Sequence, residues 1–171
     1  GFRVEQRDGL IHEYGMTLDA RVESAGSATP REWALSQIRD RSGNYVDFVY
    51  AEDPVTGSHR PLRIDYAGNT QTGAVPYYSV RFIYEARPAG DLPARFFAGG
   101  IVSESTRLDR IDVVHVATGS TVRSFDLAYG VPGSTGRSRL ASLQECASSG
   151  CLAPTQFGWS FVPAGWSVNF S

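Results

Sequence analysis

Lysine is missing from this chain: all 16 basic residues are arginine. They are scattered, so the bias reads as coding preference in a GC-rich genome rather than as a cluster of bidentate anion contacts. An excess of either charge is also missing. The 16 basic and 18 acidic residues leave a net charge of −2. That balance gives no footprint for nucleic acid or for an anionic membrane surface. No apolar run approaches the roughly 18 residues that span a bilayer, and no signal-peptide pattern opens the chain. Histidine is scarce, at His12, His59 and His115, without His-x-His or His-Glu-x-x-His spacing. Helical periodicity is not sustained over about three turns anywhere, so one short helix is the most the sequence allows. A parallel sheet needs crossover helices, and none is on offer. Cysteine is limited to Cys146 and Cys151, in CASSGC. That spacing suits a small disulfide closing a turn, which would imply export; two free thiols are the alternative. Two cysteines without a nearby histidine cannot complete a four-ligand zinc site, and no cofactor is expected.

What is there is strand. Phe2–Arg7 and Leu10–Tyr14 flank Asp8-Gly9, a two-residue hairpin signal. Glu32–Asp40 and Tyr45–Ala51 flank Ser42-Gly43-Asn44; here Trp33, Leu35 and Ile38 anchor one strand and Phe48 and Tyr50 the next. Leu62–Tyr66, Tyr78–Arg87 and an edge segment at Arg95–Ile101 follow. Leu108–Ala117 and Thr121–Tyr129 flank Thr118-Gly119-Ser120, and Arg139–Cys146 and Thr155–Phe161 close the pattern. Stretches 24–30, 53–60, 67–76, 88–93 and 131–136 read as loops. Nine or ten strands predict an all-β, antiparallel, hairpin-rich fold, either sandwich-like or an open sheet. The 171 residues suit a single β-domain, 1–171. Because FRVEQ already reads as a strand, the chain is expected to be a piece of a larger multidomain protein.

Parts of this pattern recur. Leu-x-x-Ile occurs at Leu35/Ile38 and Leu108/Ile111, and Leu-x-x-Leu at Leu140/Leu143. A strand ending in tyrosine follows the first two, FVY at 48–50 and LAY at 127–129. Such a unit cannot bury its apolar side alone, so neighbours must stack.

Candidate chemistry is thin. The three histidines read as ordinary sheet or loop residues. GSTGRS at 133–138 lacks the lysine and the strand-to-helix context of a phosphate loop. Asp40-Arg41-Ser42-Gly43-Asn44 offers oxygen atoms for calcium but no later bidentate glutamate, and Arg41 adds the wrong charge. The carboxylate pairs Asp109/Asp112 and Glu52/Asp53 sit among arginines and turn residues, without environments that would split their acidities. Trp33, Trp159 and Trp166 could form a sugar platform, although aromatics in alternating strands more commonly pack against the sheet. Asn169-Phe170-Ser171 fits the glycosylation sequon.

One ordered set of residues goes further. Gly9, Tyr14 and Gly15 come first, then Trp33, Leu35, Ile38, Asp40, Gly43, Asn44, Phe48 and Tyr50. Ile64, Tyr66, Val80, Phe82, Tyr84, Glu85 and Arg87 continue it, then Arg107, Leu108, Ile111, Val122, Leu127 and Tyr129. Ser138, Arg139, Leu140, Leu143, Cys146, Phe157 and Trp159 end it. This order resembles the C-terminal part of the N-terminal domain of Salmonella virulence plasmid toxin B-type proteins. The same domain opens the B subunits of insecticidal toxin complexes and related Rhs/YD-repeat proteins. The resemblance implies a secreted or surface-located bacterial protein in which this region is a non-catalytic scaffold, a segment of an Rhs-type β-shell. Its expected partners are other domains of the same polypeptide or toxin-complex subunits. A carbohydrate- or receptor-binding module, with a glycan or receptor as partner, is the alternative. The upstream glycine-rich start, the downstream Asp-Gly-rich propeller repeats and an ADP-ribosyltransferase motif have no match in this sequence.

Overall fold

The computed structural model describes residues 1–97, 100–130 and 136–159. Among them there is no helix. The strands are β1 (Phe2–Glu5), β2 (Ile11–Tyr14), β3 (Arg21–Val22), β4 (Glu32–Trp33), β5 (Leu35–Arg39), β6 (Asn44–Asp53), β7 (Ser58–Asn69) and β8 (Tyr78–Ala86). Then come β9 (Ala94–Phe97), β10 (Gly100–Ser103), β11 (Thr106–His115), β12 (Ser120–Gly130), β13 (Arg139–Ala147), β14 (Gly150–Cys151) and β15 (Thr155–Gln156).

Eleven strands form one sheet in the order β1-β2-β5-β6-β7-β8-β11-β12-β13-β14, with β15 also on β13. Each pairing is antiparallel. The two excursions from this path, β3-β4 and β9-β10, form their own two-stranded ladders. Of the two expected architectures, the open sheet is the one adopted. The turns follow the glycines: Gly9, Gly43 and Gly119 have φ of 92°, 81° and 68°, a region that L side chains enter only with strain.

Some expected boundaries move. The segment 53–60 is a tight turn, with β6 running to Asp53 and β7 starting at Ser58. The expected edge segment at 95–101 is the hairpin β9-β10. Glu32–Asp40 is two strands, because the chain changes ladder at Ala34. There the Ala34 N–H donates to the Ala20 carbonyl at 2.8 Å, and the Ala34 carbonyl accepts from the Gly15 N–H at 2.9 Å. The closing strand is shorter than expected, at Thr155–Gln156; residues 160–161 lie outside the described residues.

The recurring Leu-x-x-Ile and Leu-x-x-Leu units mark bulges. Residues three apart in a regular strand face opposite sides. In each unit a shift of register takes up one residue and returns both apolar side chains to one face. Leu35 pairs with Tyr14 and Ile38 with His12. Leu108 pairs with Tyr84 and Ile111 with Phe82. Leu140 pairs with Tyr129 and Leu143 with Leu127. At each bulge an aromatic donor holds the leucine carbonyl. The Tyr50 hydroxyl donates to Leu35 O at 2.9 Å, the Tyr129 hydroxyl to Leu108 O, and the Trp159 indole N–H to Leu140 O at 2.8 Å.

Candidate functional site

Cross-strand partners share a face, so the register sorts the sheet into two surfaces. One row runs Phe48, Ile64, Val80, Val113 across four strands. Beside it lie Ile38 opposite Val46, Phe82 opposite Ile111, Ile111 opposite Phe125, and Leu127 opposite Leu143. This apolar face covers β5 to β8 and β11 to β13. Every one of these side chains is half-buried and none is fully covered. Among the described residues the buried apolar side chains are Ala20, Val22, Val102 and Val114. None belongs to the apolar face.

The other face is polar. One row runs Gln37, Asp47, Asp65, Ser79, Val114; the next runs Arg63, Arg81, Asp112, Ser124, Cys146. The Gln37 amide donates to Asp47 at 2.8 Å, Arg63 pairs with Asp65 at 2.8 Å, and Arg110 with Asp112 at 3.0 Å. Cys146 and Cys151 are joined, with Cα atoms 4.0 Å apart, and are also directly opposed in the β13-β14 ladder.

Of the five expected hairpin anchors, Leu35, Ile38, Phe48 and Tyr50 are half-buried members of the main sheet. Tyr50 stands at the bulge opposite Pro61, its N–H bound by Asp19 at 2.8 Å and its ring stacked on His59 at 4.5 Å. Burial, then the nearby Asp19, pushes its phenol pKa up. Trp33 is elsewhere: it pairs with Arg21 in the β3-β4 ladder, is 43% exposed, and meets Phe2 edge-on at 6.2 Å.

A second constellation was not legible in the sequence. Asp91, 0% exposed, accepts from Arg87 at 2.8 Å and from the Ser138 N–H at 3.0 Å, with Arg137 3.7 Å away. A hydrogen bond from the Ser138 side chain leads the effects that hold its carboxyl down at about 2, with Arg87 adding to it against the penalty of burial. Arg107 bonds Glu85 at 2.6 Å, also donates to the Ser138 hydroxyl, and lies over the Tyr129 ring at 4.1 Å. Together these tie the 88–93 loop and the start of β13 to the ends of β8 and β11. Asp91 sits in PAGDLP, which reads only as a loop.

The other candidates are held by local structure. His12 opposes Val4 and Ile38. His59 contacts the Asp19 carbonyl at 2.8 Å, and His115 contacts the Thr118 hydroxyl at 3.0 Å. The strand order separates all three. Asp40 caps its own turn through the Asn44 N–H at 2.9 Å and the Asn44 amide at 2.7 Å. The Asn44 side chain leads the contacts that lower its pKa. Asp53 likewise caps a turn, accepting from the Val55 N–H at 2.9 Å. Its neighbour Glu52 lies near Glu23 and His59 in a cavity of about 500 Å³, and burial, then Glu23, raises its pKa. Trp33 meets Phe2 of β1 and Trp159 binds the Leu140 carbonyl of β13, at opposite ends of the main sheet, so they form no shared platform. Trp166, the sequon at 169–171 and positions 133–135 of GSTGRS lie outside the described residues. Among the described residues no group of three or more His, Cys, Asp or Glu could hold a metal, and no helix is long and apolar enough to cross a membrane.

No protein-family model matches the sequence, and no curated protein matches it. Solved structures do match in three dimensions. The N-terminal domain of effector protein SpvB from Salmonella typhimurium strain LT2 superposes with a TM-score of 0.70 at 14% identity, over 85% of this chain. The fold is similar to part of the SpvB N-terminal domain. Chains of two toxin assemblies carry it as well. The Photorhabdus luminescens Tc holotoxin pore matches with a TM-score of 0.75 at 14% identity over 92% of this chain, and TcdB2-TccC3-TEV with 0.75 at 14% over 95%. This chain spans 60% of the SpvB domain chain and 10% of each of these toxin chains. The likeness to the SpvB domain therefore extends over 85% of this chain at 14% identity.

Proposed function

We propose that this chain is a non-catalytic structural domain of a secreted, toxin-complex B-type or Rhs-like bacterial protein. It contributes a wall of β-sheet to an encapsulating shell or interdomain scaffold. The observation that carries this reading is the half-covered apolar face, which extends over β5 to β8 and β11 to β13 and is broken at β12-β13 by the Arg123–Glu145 ion pair. A sheet with one polar and one apolar surface suits a wall with water on one side and protein on the other. An apolar expanse of this kind is a contact surface in the complete molecule. The structural neighbours support the setting: the toxin chains are far longer than this one, and their names describe assemblies. Other domains of the same polypeptide or other toxin-complex subunits are the proposed partners. The non-catalytic part rests on the separation of His12, His59 and His115 and on the capping roles of Asp40 and Asp53.

The test places a probe on the apolar face. Val113→Cys, in a background with Cys146→Ser and Cys151→Ser, reacts rapidly with a maleimide in the isolated chain. In the full-length parent protein the same cysteine is protected. Equal reactivity in the two would reject the scaffold reading.

A further inference from the structure

The polar face holds a cavity of about 640 Å³ over β7, β8 and β11. Ligand pockets fall at about 300–1,000 Å³, so it has the size for a small molecule. At its base is Ser79, 1% exposed, whose hydroxyl has no hydrogen-bond partner. A buried hydroxyl without a partner is costly, and alanine would fill the position without that cost. Arg81, two residues on and on the same face, lines the cavity too. It pairs with no carboxylate among the described residues, whereas Asp65 and Asp112 are already engaged by Arg63 at 2.8 Å and by Arg110 at 3.0 Å. The cavity therefore carries one cation without a carboxylate partner and one uncommitted hydroxyl, beside Asp112, whose Oδ1 is ion-paired with Arg110 but accepts no hydrogen bond.

The remaining wall is apolar. Leu62, Val75 and Val116 are 41%, 72% and 42% exposed at this site, and Pro76 and Ile83 continue the surface. A single anionic group set against an aliphatic wall describes one ligand class. We propose that this cavity binds a small amphipathic monocarboxylate, its carboxylate held by Arg81 and the Ser79 hydroxyl and its hydrocarbon tail lying along Leu62, Val75 and Val116. One free guanidinium matches one negative charge, and a guanidinium meets a carboxylate with charge-assisted, directional bonds. A phosphate dianion would want a second free cation, and a ligand cation would meet two carboxylates that are already neutralised. The site lies on the opposite surface from the apolar face, so it stands or falls independently of the scaffold role.

The experiment is calorimetric and NMR titration of the full chain with sodium octanoate, octanamide and sodium acetate. Octanoate binds saturably with one site, and octanamide and acetate bind at least about tenfold more weakly, the loss expected for one charge-assisted bond or for the tail. Arg81→Gln lowers octanoate affinity at least about tenfold, and Ser79→Ala lowers it several-fold, while both variants keep the circular dichroism spectrum of the parent. Absence of saturable binding overturns the proposal. So does octanamide binding as well as octanoate, or octanoate affinity unchanged in both variants, which would place the fatty chain on the apolar face instead.

Discussion

At the scale of the residue, the structure turns on polar groups that finish what the ladders leave open. Tyr50, Tyr129 and Trp159 each spend their one donor on the carbonyl of a leucine at a bulge. Tyr129→Phe removes that donor and leaves Leu108 O without it, so urea unfolding should register a loss of about 1–2 kcal/mol. A loss below the error of the measurement would mean that water replaces the hydroxyl without cost. Asp91 is the other such residue. Its carboxyl is held down at about 2 in the folded chain, against 3.8 for an ordinary aspartate. Its contribution to stability is therefore complete above pH 4 and drains away as pH falls from 4 toward 2. Asp91→Asn should cost about 1–3 kcal/mol at neutral pH, as for hydrogen bonds to a charged group. The variant should also show a flatter acid limb than the parent in unfolding followed from pH 5 to pH 2. Parallel acid limbs would remove Asp91 from the account.

At the scale of the element, turns and ladders set the limits. Gly15 has φ of 62°, and a Cβ there would overlap the Trp33 ring. Gly15→Ala should cost about 2–3 kcal/mol, from strain at a positive φ and displacement of the indole. Thermal unfolding and Trp33 fluorescence would both report it, and an unshifted melt would show that the ring gives way freely. The Cys146–Cys151 bridge closes a short loop of sequence separation 5. The chain-entropy model gives such a loop about 2 kcal/mol, so Cys146→Ser with Cys151→Ser should lower stability by no more than that. Most of this level was legible beforehand. Glycine turns announced the hairpins, and tight cysteine spacing announced the bridge. The bulges were present in the sequence only as a spacing of three that contradicts a period of two. Which face a side chain takes after a bulge depends on the partner strand, which sequence does not display. The two-residue strands β3, β4, β14 and β15 are too short to show alternation at all. Asp91 gave no signal because Ser138 binds it from 47 positions away.

At the scale of the whole molecule, a single layer behaves unlike a packed globule. Along the main sheet each strand touches little beyond its two neighbours, and stability becomes a sum of nearest-neighbour terms, as in repeat proteins. Hydrogen exchange should then be graded by position in the strand order. Amides of β1, β14 and β15 should exchange first and those of β7 and β8 last, without one cooperative step. Uniform protection from end to end would show that the apolar face couples distant strands after all.

Strand order along the sheet departs from order along the chain only at β3-β4, at β9-β10 and where β15 returns to β13. Each new strand therefore finds its partner among residues synthesised shortly before it. No strand has to wait for a distant segment, and no finished portion has to open to admit a later one. Growth can be vectorial: the β1-β2 hairpin forms as it leaves the ribosome, and the sheet lengthens from it as more chain arrives.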